Sequence, residues 1–220
     1  SNISTVTLTV TAVNDAPVAS AVSVSTNEDT AKTFNLVGTD VEGANNGGSH
    51  VVFYSIVSNP SNGSLSSIDA PTVNGASITY TPNSNWNGTD TFTYKVNDDT
   101  VDSNTATVTV TVAAVNDAPT TSDISTTIDE NRTARMVGIT LQGSDVDGDN
   151  LTYSVVSDAS NGTTSISGAT LTYTANQDWN GTETITYKAN DGTVDSNTST
   201  ITVTVTAVND APVSSNVSAS

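Results

Sequence analysis

Acidic and amide side chains recur at four places in this chain, spaced so that several oxygens can face one hard cation. The first set is Asn14-Asp15, Asn116-Asp117 and Asn209-Asp210, each followed by Ala-Pro. The second is Asp40 with Glu42, answered by Asp145, Asp147 and Asp149, which sit at i, i+2 and i+4 with a glycine inside the run. The third is Asp98, Asp99 and Asp102, answered by Asp191 and Asp195. The fourth is Glu28-Asp29, answered by Asp129-Glu130. Carboxylates gathered this way repel one another unless something neutralises them. Ca²⁺ takes roughly six to eight oxygen ligands at ~2.3–2.6 Å, and asparagine and backbone carbonyls complete such a shell. The candidate ligands are therefore Asn14, Asp15, Glu28, Asp40, Glu42, Asp98, Asn116, Asp117, Glu130, Asp145, Asp147, Asp191, Asn209 and Asp210. No lysine or arginine is expected to pair with these clusters in both halves of the chain. Asp102 and Asp195 are expected to serve turns, by accepting backbone N–H bonds.

Other chemistries find little support. The chain has 220 residues with 23 acidic and 5 basic side chains, a formal charge of -18. No positive surface is available to neutralise nucleic-acid phosphates, and docking on anionic lipid is disfavoured. The absence of cysteine excludes disulfides and thiolate chemistry. The single histidine, His50, leaves little room for a nucleophile–histidine–acid set. No apolar run approaches the ~18 residues of a membrane span. Charged residues make up only 13% of the chain, against roughly 25% in ordinary globular domains, so where the negative charge sits matters more than its total.

The elements that must position the acidic residues are read from internal repetition. Val-Asn-Asp-Ala-Pro begins at Val13, Val115 and Val208. Trp86-Asn87-Gly88-Thr89 recurs as Trp179-Asn180-Gly181-Thr182, and Thr-Val-Asp-Ser-Asn-Thr occupies both 100–105 and 193–198. Ser1 to Thr11 matches the closing segment from Ser103, and 208–218 matches 13–23. The expected organisation is a last strand over 1–12, whole repeats over 13–114 and 115–207, and a first strand over 208–220. Threonine alternates with apolar residues over 105–112 and 198–205, and Phe92, Tyr94 and Val96 alternate with Thr93 and Lys95. That period of two marks strands with one buried face. Asn-Gly pairs at 62–63, 87–88, 161–162 and 180–181 mark turns in which both residues tolerate φ > 0. About seven short strands per repeat predict an all-β chain of tandem Greek-key β-sandwiches, arranged as a rod. In each sandwich the first three acidic sets fall at the upstream end and the fourth at the downstream end. Stacking is expected to gather Glu28, Asn116, Asp117, Asp145, Asp147 and Asp191.

Ala189-Asn190-Asp191-Gly192, the strand to Val205 and Asn209-Asp210-Ala211-Pro212 resemble the closing half of a cadherin repeat. Asp145-Val146-Asp147-Gly148 resembles the cadherin Asp-x-Asp motif, and Glu28 and Glu130 resemble its first-strand glutamate. The chain is most similar to bacterial cadherin-like or immunoglobulin-like tandem repeats of giant secreted adhesins of the repeats-in-toxin type. That resemblance implies calcium at inter-repeat junctions, an extracellular cell-surface location, and a role in adhesion or biofilm. Alanine stands at 12, 114 and 207 where cadherin linkers usually carry aspartate, and no Asp-Arg-Glu motif is present, with Asp90 and Glu183 as weak substitutes. One or two ions per junction are expected in place of three.

Several remaining features read as structural. Trp86 and Trp179 are expected to anchor the core. Lys95 and Lys188 point outward by strand alternation, away from any buried isopeptide bond. The threonine stripes are taken as solvent faces, because an ice-binding array would need them on adjacent strands and these two lie one unit apart. The sequons at Asn2, Asn131 and Asn197 are expected from composition alone. The functional expectation is a non-enzymatic, calcium-stiffened spacer whose partners are neighbouring repeats. A filament subunit that self-associates by exchanging terminal strands stands as the alternative.

Overall fold

A computed structural model of the chain describes residues 3–11, 13–41, 52–68, 75–130 and 136–210. Two compact units divide it, Ser1–Val115 and Asn116–Ser220. In the first unit the strands are β1 (Val18–Ser20), β2 (Val22–Asn27), β3 (Lys32–Thr39), β4 (Phe53–Ser58), β5 (Gly63–Leu65), β6 (Ala76–Pro82), β7 (Gly88–Asn97) and β8 (Ala106–Ala113). They form two four-stranded sheets, β1-β3-β6-β5 and β2-β8-β7-β4. The second unit holds β9 (Thr120–Thr121), β10 (Ile124–Asp129), β11 (Met136–Thr140), β12 (Gly143–Ser144), β13 (Thr152–Ser157), β14 (Gly162–Ser167), β15 (Thr170–Ala175), β16 (Gly181–Asn190) and β17 (Ser199–Thr206). Its sheets run β10-β17-β16-β13 and β11-β15-β14, with β12 paired to β9.

Each unit is a sandwich because the inward faces of its two sheets share one core. Leu36, Ile78 and Tyr80 from one sheet pack with Phe92, Tyr94 and Val108 from the other. Leu171 and Tyr173 meet Ile185, Tyr187, Ile201 and Val203 in the second unit. The alternation that marks strands in the sequence is the alternation of burial: in β8 Ala106, Val108, Val110 and Val112 are buried while the intervening threonines face out. Trp86 and Trp179 pack half-buried against these cores.

The opening segment of each unit is two strands, where the sequence pattern predicts one. β1 pairs antiparallel with β3, and after Ala21 the chain crosses to the opposite sheet, where β2 runs parallel to β8. β9 and β10 repeat the crossing. A buried tyrosine fixes the crossing point. The Tyr94 hydroxyl lies between the Ser20 and Val37 carbonyl oxygens, at 2.6 and 2.7 Å, and shares its one proton between them. Tyr187 does the same between Ser122 and Gln142, at 2.6 and 3.0 Å. Burial raises the pKa of both phenols.

The threonine stripes of β8 and β17 lie in different units, but each has a further stripe beside it, on β7 and β16, that the sequence reading did not count. Thr89, Thr91 and Thr93 of β7 stand opposite Thr111, Thr109 and Thr107 of β8. Thr182, Thr184 and Thr186 face Thr204, Thr202 and Thr200 in the second unit. Neighbouring strands rotate by roughly 20–25°, so each patch is a curved hydroxyl face and not a flat lattice. Edge strands β4 and β13 are broken by register shifts at Ile56/Ser58 and Val155/Ser157. Such bulges discourage edge-to-edge pairing.

Two kinds of Asn-Gly turn emerge. Gly88 and Gly181 do adopt positive φ, at 138° and 145°, each over a tryptophan ring. Gly63 and Gly162 do not; they are glycine because a Cβ would strike a tyrosine ring and a carbonyl oxygen. At Gly162 it would lie 2.4 Å from the Thr174 oxygen and 2.5 Å from the Tyr173 ring.

Candidate metal centre

At the upstream end of the second unit, three segments that are distant in sequence bring their acidic residues together. Asn116 and Asp117 precede β9, the Asp145–Asp149 loop follows β12, and Asp191 follows β16. The Asn116 amide donates to Asp191 Oδ2 at 2.8 Å, and the Asp117 N–H donates to Asp147 Oδ2 at 2.8 Å. Asp145 Oδ1 accepts the N–H groups of Asp147 and Asp149 at 2.9 and 3.3 Å, which curls the loop around its own carboxylate. One carboxylate oxygen from each of Asp145, Asp147 and Asp149 lies within 4.8 Å of the other two. Asp191 Oδ1 accepts the N–H groups of Thr193 and Val194 at 2.6 and 2.7 Å. The Asn116 amide, aided by these backbone donors, holds the Asp191 carboxyl below the usual aspartate range.

The first unit builds the same end with fewer described acids. Asn14 donates to Asp98 Oδ2 at 2.8 Å. Asp98 is 2% exposed, and its Oδ1 accepts Thr100 and Val101 N–H at 2.7 Å each. The Val101 N–H first, and then the Asn14 amide, lower its pKa. Asp40 follows β3 and is half-buried, while Asp15 is exposed beside Asn14. Glu42 and the 44–50 insertion with His50 lie outside the described residues, as do Asn2 and Asn131.

At the downstream ends the fourth set is buried. Glu28 follows β2 at 4% exposure and Glu130 follows β10 at 5%. Glu28 Oε1 accepts the Val115 N–H at 2.5 Å, and Glu130 Oε1 accepts the Val208 N–H at 2.9 Å. Asn209 is exposed, and its amide donates to the Asp210 carbonyl at 3.3 Å.

The donor set fits a hard cation. Glu28 Oε2 and Asp145 Oδ2 are buried oxygen atoms with no hydrogen-bond donor. A buried carboxylate oxygen left unpaired is costly, and a coordinated cation removes that cost. All donors are oxygens, as Ca²⁺ or Mg²⁺ requires.

Other acids serve the scaffold. Asp102 and Asp195 were expected to accept backbone N–H bonds in turns; their carboxylates instead form ion pairs with Lys95 and Lys188, so a lysine does recur beside the third cluster, and the turn N–H groups go to Asp98 and Asp191. Asn97 and Asn190 donate to the same carboxylates. The lysine, followed by the asparagine, lowers the pKa of each aspartate. Asp90 and Glu183 are buried turn anchors. Asp90 accepts Ser61 N–H, Asn62 N–H and the Tyr80 hydroxyl at 3.1, 2.8 and 3.0 Å, and Glu183 accepts the Asn161 N–H at 2.6 Å. Their position on the inward face of β7 and β16, in phase with Phe92 and Ile185, was a visible signal for this role. Asn104 and Asn197 were missed altogether. Asn104 bonds both the N–H and the carbonyl of Ala19, at 3.0 Å each, and Asn197 does so to Thr121 at 2.9 and 3.1 Å. Their recurrence within Asp-Ser-Asn-Thr was the available clue.

Comparison with known proteins adds the following. The family described as bacterial Ig domain matches twice, over residues 14–111 and 116–204. No curated protein matches the chain. Among solved structures, human protocadherin-24 EC1-2 superposes with a TM-score of 0.58 at 17% identity, over 89% of this chain and 100% of that one. Mouse cadherin-23 EC22-24 gives 0.53 at 20% identity, over 88% and 65%. An endo-fucoidan hydrolase of glycoside hydrolase family 107 gives 0.37 at 20% identity; the present chain spans only 29% of its length. The cadherin likeness establishes the fold, and the hydrolase overlap is too loose to carry more.

Proposed function

The chain belongs to the bacterial Ig domain family, one copy per unit, and from that premise we propose that it is a non-enzymatic, calcium-binding extracellular repeat module. In this reading it serves as a calcium-stiffened spacer in a bacterial cell-surface adhesin or fibre, with a role in adhesion or biofilm. In this reading residues 13–114 and 115–207 are the whole repeats, while 1–12 and 208–220 repeat the closing and opening sequence of such a unit. The observation that carries the proposal is the pair of buried carboxylate oxygens without donors, Glu28 Oε2 and Asp145 Oδ2, at unit ends where further acids gather. Asn116, Asp117, Asp145, Asp147 and Asp191 would hold calcium at the upstream end of the second unit, and Glu28 would offer its free oxygen at the downstream end of the first. Asn14, Asp15, Asp40, Glu42 and Asp98 would do so upstream, and Glu130, Asn209 and Asp210 downstream. Calcium supplies charge neutralisation; the residues supply oxygens already fixed by N–H donors.

Extracellular calcium modules bind with Kd ~10⁻⁴–10⁻³ M, so such a spacer is stiff outside a cell and loose without calcium. Among the described residues no helix is long and apolar enough to cross a membrane. Small-angle scattering with millimolar calcium and with a chelator tests the proposal. A longer, narrower distance distribution with calcium is expected, and identical profiles refute stiffening.

One observation favours a second reading. Val6, Leu8 and Val10 are 82%, 87% and 91% exposed and belong to no strand, although they alternate with threonine as β8 does. A filament subunit donating this segment to another copy would cover them. A monomeric mass at high concentration counts against that reading.

A further inference from the structure

The Asn-Gly pairs at 62–63, 87–88, 161–162 and 180–181 share a latent reaction, and the structure holds them against it unequally. The glycine nitrogen can attack the asparagine Cγ. Ammonia leaves, a cyclic imide forms, and water opens the imide to aspartate or isoaspartate. Glycine favours this attack because no side chain shields its nitrogen or limits its backbone. Closing the ring turns the asparagine about its own Cα–C bond, so bonds that fix its N–H and carbonyl oppose it. Asn62 and Asn161 are fixed at both. The Asn62 N–H donates to Asp90 Oδ2 at 2.8 Å, and its carbonyl accepts the Asn83 N–H at 2.9 Å. The Asn161 N–H donates to Glu183 Oε2 at 2.6 Å, and its carbonyl accepts the Asn176 N–H and the Tyr173 hydroxyl at 3.0 Å each. Asn87 and Asn180 are exposed, as are Gly88 and Gly181. They differ in the side chain. The Asn180 amide donates to Glu130 Oε2 at 2.9 Å, and loss of its nitrogen would leave a buried carboxylate without that donor. Among the described residues nothing bonds the Asn87 side chain.

We propose that Asn87 is a site of spontaneous deamidation in the folded protein, that Asn180 is the same site restrained by Glu130, and that Asn62 and Asn161 are closed to the reaction. The only reagent needed is water, and the leaving group is ammonia. A hydrogen bond to a charged group has to be given up on the way to the imide at Asn180, so that residue reacts at least about tenfold more slowly than Asn87. Asn62 and Asn161 react only through opening of their own unit. Conversion at Asn87 adds a carboxylate to the turn that leads into β7, and the isoaspartate product also inserts a methylene into the backbone there. The first unit thus accumulates charge with age at one exposed turn. Calcium takes no part in this chemistry, so its outcome leaves the proposed function untouched.

The test is incubation of the whole chain, warm and at mildly alkaline pH, in heavy-oxygen water that labels each new carboxyl. Peptide mapping over time gives a rate for every pair, and the same incubation in urea gives the rate with structure removed. Asn46-Gly47 and Asn74-Gly75, which fall at least partly outside the described residues, are mapped separately. Native rates relative to urea are expected to be highest at Asn87, at least about tenfold lower at Asn180, and lowest at Asn62 and Asn161. Glu130→Ala should bring Asn180 up to the Asn87 rate while Asn161, in the same unit, stays protected. Should that variant expose Asn161, Glu130→Gln keeps the side chain's size with a neutral acceptor and should speed Asn180 by a smaller factor. The proposal is overturned if Asn87 reacts no faster than Asn62, Asn161 or Asn180 in the native chain. It is overturned for Asn180 if that residue stays slow without the Glu130 carboxylate while Asn161 remains protected.

Discussion

Replacing Asp147 by asparagine separates a cation ligand from a structural carboxylate, because the two roles predict opposite signs in the absence of metal. The substitution removes one charge and keeps an oxygen to accept the Asp117 N–H, which Asp147 Oδ2 now accepts at 2.8 Å. Asp145, Asp147 and Asp149 place carboxylate oxygens within 4.8 Å of one another. At that distance each like-charged pair costs about 0.9 kcal/mol in water-like dielectric, the fitting choice for an exposed loop. Asp147→Asn relieves two of the three pairs, so the metal-free protein should gain roughly 1–2 kcal/mol. At free calcium ~100 times Kd the wild type gains about 2.7 kcal/mol from binding, and the variant loses most of that gain. Urea unfolding in chelator and in calcium measures both. The variant should be the more stable protein in chelator and the less stable in calcium. Equal destabilisation in both solutions would sink the reasoning and make Asp147 a loop brace only.

Four further outcomes follow from the packing. Asp90→Ala removes the acceptor of four donors, Ser61 N–H, Asn62 N–H, Thr91 N–H and the Tyr80 hydroxyl, and should cost about 3 kcal/mol in denaturant unfolding at neutral pH. Burial raises the Asp90 pKa, but the N–H donors of Asn62, Ser61 and Thr91 and the Tyr80 hydroxyl outweigh it and leave the pKa depressed. Its contribution is thus full above the unfolded value of about 3.9 and lost as pH falls through the folded one, so the gap to wild type should narrow below about pH 4. Gly162→Ala drives a Cβ into the Thr174 oxygen and should lower stability by about 1–3 kcal/mol; Gly138→Ala meets only the Thr170 methyl, at 3.5 Å, and should change thermal midpoints little. Lys188→Met breaks an exposed ion pair and should cost no more than about 1 kcal/mol, a loss that shrinks in high salt.

The parts legible in the sequence were those carried by local pattern. Period-two alternation placed β7, β8, β16 and β17. What the pattern could not convey depends on a second strand. The split of the opening segment is decided by Tyr94 and Tyr187, whose hydroxyls reach across the sandwich to carbonyls on other strands. The Lys95–Asp102 pair joins residues seven apart that meet only once the β7 turn has folded back on itself, as the Asn97–Asp102 bridge shows. The adjacency of the threonine stripes likewise follows from the β7–β8 register and not from either stripe alone. Asp90 was the exception, since an acid in phase with buried aromatics on one strand announces a buried anchor.

The placement of charge bears on which solute can act. The outer faces of β7, β8, β16 and β17 show mostly threonine to solvent, so they are hydrated by neutral hydroxyls. The carboxylates gather where strands end, with oxygens of three aspartates inside 4.8 Å. That separation is shorter than the ~8 Å Debye length at physiological ionic strength. Monovalent salt therefore cannot screen these acids from one another, however well it screens the net charge of -18. On the proposed reading, relief comes from an ion seated among the oxygens. Mg²⁺ holds to a near-octahedral shell at ~2.0–2.1 Å and gives up water reluctantly, whereas Ca²⁺ accepts irregular shells of six to eight oxygens. Loop carboxylates from Asp145, Asp147 and Asp149 with Asn116 beside them offer an irregular set of oxygens, and that irregularity is the physical ground for expecting calcium in preference to the smaller ion.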